Sequence, residues 1–165
     1  MNDTRTIINV GIADMKIAKA PDCLRTSGLG SCVGVVLYDL KKELAGLAHI
    51  MLPDSTLARN QTQNLAKYAD TAIPALLDEL KKEGSPSWTL QAKIAGGAQM
   101  FKTISSSDLM RIGPRNVEAV KRILQQYDIP IVAEDVGGNN GRTIIFDPQT
   151  GELSIRTVNK GVSII

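Results

Sequence analysis

The 165-residue chain holds one histidine, His49, and two cysteines, Cys23 and Cys32. A thiol within reach of an imidazole can hand it a proton and become a nucleophile toward a carbonyl carbon. Which thiol the histidine reaches is therefore the first question. Cys32 closes the stretch TSGLGSC, residues 26–32, and the apolar run VGVVLYD follows it. A buried structural thiol has no need of such a glycine loop. His49 lies in a second apolar run, LAGLAHIML. The two runs read as strands joined by a polar turn around LKKE. With Asp39–Lys42 as the loop, Tyr38 pairs with Glu43, Gly34 faces Leu47 and Cys32 faces His49. Directly opposed side chains share a face, with Cβ atoms about 5 Å apart. A slip of one residue would put the histidine on the other face.

In that register His49 takes the thiol proton, returns a proton to the leaving group and later activates water. Such a base needs a group that orients it. Thr26, ahead of the glycine loop, is a candidate through its hydroxyl. Asp54, past Pro53 in the next loop, is the rival. Gly28, Gly30 and Ser31 form the loop whose backbone N–H groups could face a developing oxyanion. Cys23 has no glycine loop and reads as structural. Taken singly, a cysteine at a strand start and a histidine in an apolar strand are packing residues. Their pairing beside a Gly-x-Gly loop is what favours chemistry.

Composition narrows the alternatives. Hydrophobic residues make up 43% and charged residues 22%, the balance of an ordinary globular domain rather than a disordered chain. The net charge of +2 comes from basic residues scattered among acids, so nucleic-acid binding is not expected. One histidine and two cysteines make a poor zinc set, and no metal is expected. GLGSCVG is not a GxGxxG fingerprint and leads into a strand, and no GxxxxGK[ST] loop occurs. GNNG, residues 138–141, has the form of the KH-type RNA-binding loop, but strands flank it where helices should. The opening MNDTRTIINVG has no signal-peptide h-region, and no apolar run of about 18 residues occurs. No membrane insertion is expected, and a cytoplasmic setting with reduced thiols is the expectation.

The elements that must position these residues are legible in outline. TIINVGIADMKIA, residues 6–18, alternates as a strand. LRTSGLGSC reads as a short strand and loop, and residues 53–64 as a polar loop. Residues 65–84 have helical periodicity, with Gly84 as the residue just past the end and Pro74 as a kink or a second start. LQAKIAGGAQM, 90–100, is a strand ending in Gly-Gly. IGPRNVEAVKRILQQYDI is a helix with Pro114 at its first position, burying Val117, Val120, Ile123 and Leu124. IPIVAEDVGG is a strand, and RTIIFDPQTGELSIRTV is a hairpin turning at Pro148 and Gly151. The reading is one α/β domain over 1–165, a mixed β-sheet with packed helices.

Five stretches in order, TSGLGSCVGVVLYD, GLAHIMLP, KIAGGAQMF, IGPRN and DVGGNNGRTIIFDPQTG, resemble the CheD family of chemoreceptor glutamine deamidases. Ala95 in KIAGG stands where a larger apolar residue is expected, which bears on packing and not on chemistry. The resemblance implies an α/β sandwich like that of the cytotoxic-necrotizing-factor-type deamidases. It implies a Cys–His–Thr triad at Cys32, His49 and Thr26, with no metal or organic cofactor. The activity implied is that of a protein-glutamine glutaminase. It would hydrolyse selected glutamine side chains on the helical cytoplasmic domain of chemoreceptors to glutamate and ammonia, through a Cys thioester. A CheC-type phosphatase of CheY is the implied partner. Rival readings are a receptor methylesterase using the same acyl-enzyme, a regulatory module that only docks, and a thiol protease or acyltransferase. Met100 and Phe101, after the Gly-Gly turn, are expected either to fold into the core or to form an apolar patch for that partner.

Overall fold

The structure, a computed structural model, describes residues 5–57, 64–99 and 111–165. Its organising feature is a pair of strands buried on both sides. Every residue of β4 (Val33–Asp39) and β5 (Leu44–Ile50) is buried. A strand with no solvent face must have a layer on each side. Val33, Val35, Leu37, Ala48 and Ile50 face helices α1 (Ala69–Lys82) and α2 (Ile112–Gln126). Val36, Tyr38, Ala45 and Leu47 face a second sheet through Leu24, Ile144, Phe146 and Ile155.

The fold is therefore mixed α/β in three layers: two helices, then two five-stranded sheets, with no closed barrel. The central sheet runs β2 (Met15–Lys19), β5, β4, β6 (Gln91–Gly96), β7 (Ile131–Val136). The outer sheet runs β1 (Ile7–Asn9), β3 (Cys23–Leu29), β8 (Arg142–Asp147), β9 (Glu152–Thr157), β10 (Gly161–Ile164). Each sheet has one parallel pair, β6–β7 and β1–β3, among antiparallel neighbours. No helix among the described residues is long and apolar enough to cross a membrane.

Helix α1 buries Ala69, Ala72, Ile73, Leu76, Leu77 and Leu80, a stripe at three- and four-residue spacing. Asp70 in its first turn and Lys81 and Lys82 in its last suit the helix dipole. It seats closely on the sheet because Gly46 has no Cβ; one there would lie 2.6 Å from a Leu76 methyl. Gly84 does follow the last turn in a left-handed conformation, φ +101°. Pro74 lies inside one continuous helix and neither ends nor starts it.

Five expectations need correction. Residues 6–18 are two strands in different sheets, β1 and β2, separated by a turn with Ala13 at φ 56°. Apolar alternation persists through the crossing, so nothing in the period marks the change of partner. The α1 helix begins at Ala69, not 65, because the backbone of Lys67 and Ala69 bonds to Met51 and Leu52 instead of continuing a helix. Pro114 is the third helical residue, after Ile112 and Gly113; its N–H would have no intrahelical acceptor, so proline is accommodated. Edge strand β10 was not anticipated; its residues are all exposed. Finally, the β4–β5 loop is Leu40–Glu43: Asp39 pairs with Leu44, Tyr38 with Ala45 and Gly34 with His49. The Asp39 carboxylate accepts from the Ser85 hydroxyl at 2.8 Å and from the Lys42 N–H at 3.2 Å, which holds Asp39 at the strand end.

Candidate active site

The register correction moves the pairing by two residues, and two is the side-chain period of a strand. Cys32 and His49 therefore stay on one face, the face toward the outer sheet, where Cys32 packs against the inter-sheet core. They are diagonal neighbours rather than directly opposed, a relation in which Cα atoms stand about 7–8 Å apart and long side chains still meet.

His49 spans the gap between the sheets. Its Nδ1 lies 2.7 Å from the Oγ1 of Thr26 on β3, and both residues are buried. The Thr26 hydroxyl also donates to the Val10 carbonyl at 2.7 Å. A hydroxyl has one proton to give. With that proton on Val10, Thr26 accepts from His49, so Nδ1 carries the imidazole hydrogen and Nε2 keeps its lone pair. Nε2 has no hydrogen-bond partner among the described residues. Burial pulls the His49 pKa down to about 4, so the ring is neutral near pH 7. Asp54, the rival orienter, instead accepts from the Thr56 N–H at 2.9 Å in its own turn.

Cys32 is half-buried. Burial raises its thiol pKa, and its own backbone N–H partly offsets this. The resting pair is thus neutral thiol and neutral imidazole rather than an ion pair. Cys23 is buried at 3% exposure, in keeping with a structural role.

The loop before Cys32 is held by its carbonyls. Gly30 O accepts from the Ala98 N–H at 2.8 Å, and Cys32 O from the Gly97 N–H at 2.8 Å. Ser31 O accepts from the Asn116 side chain at 2.9 Å. Gly28 supplies a left-handed φ of +73°. The Gly30 N–H bonds to Gly28 O at 3.0 Å and is not available to an oxyanion. The Ser31 and Cys32 N–H groups have no backbone acceptor among the described residues, and both residues are half-buried. The loop fits against β6 only because Gly96, at φ +108°, lacks a Cβ; one there would run into the Cys32 carbonyl.

Two features of this seat escaped the sequence reading. Gly96 and Gly97 were legible as a turn but not as the floor under Cys32. Asn116 was passed over, although a polar residue at a core position of an amphipathic helix, in series with Gly113, Val120 and Ile123, is a readable signal. Met100 and Phe101 lie outside the described residues. No group of three or more metal-ligating side chains occurs among the described residues.

A half-buried thiol, a neutral imidazole with a bare Nε2 and a hydroxyl on the other ring nitrogen suit acyl transfer from a carbonyl compound to water. The class is a hydrolase on a mixed α/β fold of two five-stranded sheets and two helices. The family model described as CheD chemotactic sensory transduction matches residues 51–157. The chain is 59% identical over 160 residues to the chemoreceptor glutamine deamidase CheD of Bacillus licheniformis, covering 97% of this chain and 95% of that one. It is 57% identical over 159 residues to the same-named protein of Bacillus subtilis, covering 96% of each. It is 59% identical over 161 residues to that of Halalkalibacterium halodurans, covering 98% of each. This chain belongs to the CheD family. The relatives' spans take in the segment bearing Thr26, Cys32 and His49, which the family model, starting at residue 51, does not.

Proposed function

We propose that this chain carries out the glutamine deamidation its relatives are named for with Cys32 as nucleophile, His49 as base and acid, and Thr26 as the residue that holds the imidazole. The activity is that of a chemoreceptor glutamine deamidase, an amidohydrolase acting in chemotaxis. His49 Nε2 takes the Sγ proton as sulfur attacks the glutamine side-chain carbonyl carbon. The carbonyl oxygen becomes an oxyanion facing the Ser31 and Cys32 N–H groups. The imidazolium gives its Nε2 proton to the amine, the C–N bond breaks and ammonia leaves a thioester. Water then loses a proton to Nε2 and attacks the thioester carbon. Collapse expels sulfur, which regains the proton, and the product is glutamate. Throughout, Nδ1–H stays on Thr26 Oγ1, so Nε2 alone exchanges protons.

The observation that carries this reading is the bare Nε2 of a buried ring whose other nitrogen is committed to Thr26. A methyl ester would pass through the same acyl-enzyme. With substrate side chains on the helical cytoplasmic part of the receptors, as the family resemblance implies, the enzyme acts in the cytoplasm. A CheC-type phosphatase is the partner, supported by the family resemblance. The layered sandwich supports kinship with the cytotoxic-necrotizing-factor-type deamidases. Peptide mass mapping of a helical receptor fragment tests the reading: wild type and Cys23→Ala convert glutamines to glutamates, folded Cys32→Ala does not, and folded His49→Ala is slower by at least about 10²–10⁴-fold. Conversion by Cys32→Ala at the wild-type rate would overturn it.

A further inference from the structure

Asn116 is fully buried in helix α2, yet its side chain bonds to neither its own helix nor another side chain. Its Nδ2 donates to the Ser31 carbonyl and to the Met51 carbonyl, both at 2.9 Å. Two carbonyl acceptors fix the amide's orientation, because a flipped amide would set Oδ1 against both oxygens. Ser31 immediately precedes Cys32, and Met51 lies two residues past His49. One side chain thus ties the peptide before the thiol to the strand end after the imidazole. The helix is brought close enough by Gly113, where a Cβ would collide with the Ala98 carbonyl. Asn116 Oδ1 has no partner among the described residues. An apolar residue in this core position would leave no such orphan acceptor, so the fold tolerates the amide for what Nδ2 holds.

A trans peptide is planar, with its C=O and N–H pointing opposite ways. Fixing the Ser31 carbonyl therefore fixes the direction of the Cys32 N–H. That N–H has no backbone acceptor among the described residues and is free to meet another. We infer that Asn116 is a positioning residue for deamidation, which by holding the Ser31 carbonyl aims the Cys32 N–H at the oxyanion formed on the substrate. The inference rests on the reading of Cys32 as nucleophile.

The test is to replace Asn116 by Ala and by Leu and to measure two reactions of the purified proteins. One is steady-state deamidation of a helical receptor fragment. The other is alkylation of Cys32 by iodoacetamide, in which the sulfur attacks the reagent's saturated carbon, iodide leaves and no oxyanion forms. Losing an aimed oxyanion donor lowers kcat by about 10²–10³-fold. The expected result is that loss in kcat, with KM and the alkylation rate changed only a few-fold. Wild-type kcat in either folded variant overturns the inference. So does a parallel fall in kcat and alkylation, which would mean the thiol itself is displaced. Asn116→Leu refills the volume if Asn116→Ala does not fold; failure of both to fold assigns the residue to stability and likewise overturns the inference. A Cys32→Ala control separates the layers. Activity in that variant defeats the nucleophile reading itself, whereas an inactive Cys32→Ala beside fully active Asn116 variants defeats only the role of Asn116.

Discussion

Replacing Thr26 by valine removes one hydroxyl from the buried space between the sheets and puts a methyl in its place. The side chain is 1% exposed, so water cannot substitute. Two hydrogen bonds of 2.7 Å disappear, one to the Val10 carbonyl and one from His49 Nδ1. Each buried polar group left without its partner costs about 1–3 kcal/mol, so with two such groups the variant should lose about 2–6 kcal/mol. For a domain of this length that is a fall in Tm of about 6–17 °C. The effect on rate has a separate origin. Without Thr26 nothing holds the proton on Nδ1, and the neutral ring is free to carry it on Nε2 instead. That tautomer has no lone pair on Nε2 to act as base. The deamidation kcat should drop by about 10²–10⁴-fold, the usual worth of general acid–base catalysis. Thr26→Ser retains the hydroxyl and should recover most of the rate. Thermal melts and steady-state deamidation of a receptor fragment read both effects. A folded Thr26→Val protein with wild-type kcat would refute the tautomer argument, and equal losses in the serine and valine variants would refute the role of the hydroxyl.

Folding stability should depend on pH through His49. Its pKa is about 4 when folded against 6.5 when unfolded, so the unfolded chain binds more protons between those values. Stability from this group is complete above about pH 6.5 and falls by about 3 kcal/mol as pH drops to about 4. Urea titrations should show this slope in wild type and its loss in His49→Gln; identical slopes would count against the buried neutral ring. The same cause puts the acid limb of kcat/KM near pH 4, because Nε2 must be unprotonated to act as base, and a limb near pH 6.5 would contradict it. Gly96→Ala should be worse than Gly28→Ala in both stability and activity. Both positions have left-handed φ, at a backbone cost of about 1–3 kcal/mol for a non-glycine residue, but only at Gly96 does a Cβ also strike the Cys32 carbonyl. Equal losses in chemical denaturation would dismiss Gly96 as the seat of the loop.

The chemistry was more legible in the chain than its geometry. A single histidine and a cysteine after Gly-x-Gly marked the candidate pair, and strand parity kept them on one face even though the register was off by two. The error arose from Ser85, which binds the Asp39 carboxylate across 46 residues and is invisible to hairpin arithmetic. Thr26 was nominated by its place before the loop, but its bond to His49 requires two sheets to meet, and that packing is a property of the whole core. Residues 6–18 hid a change of sheet because both strands feed apolar side chains inward. Asn116 looked like the end of a helix start, IGPRN; only the folded chain brings Ser31 and Met51 to its amide.

The central claim is that a thioester forms on Cys32, and the most direct measurement is to trap it. Enzyme and receptor fragment are mixed, quenched in acid within the first turnovers and digested, and the cysteine peptides are weighed. The account predicts a receptor glutamyl group bonded to the peptide bearing Cys32, with ammonia released in equal amount. The adduct should be absent in Cys32→Ala and formed slowly in His49→Ala. An adduct on Cys23, or ammonia released by Cys32→Ala at the wild-type rate, would contradict it.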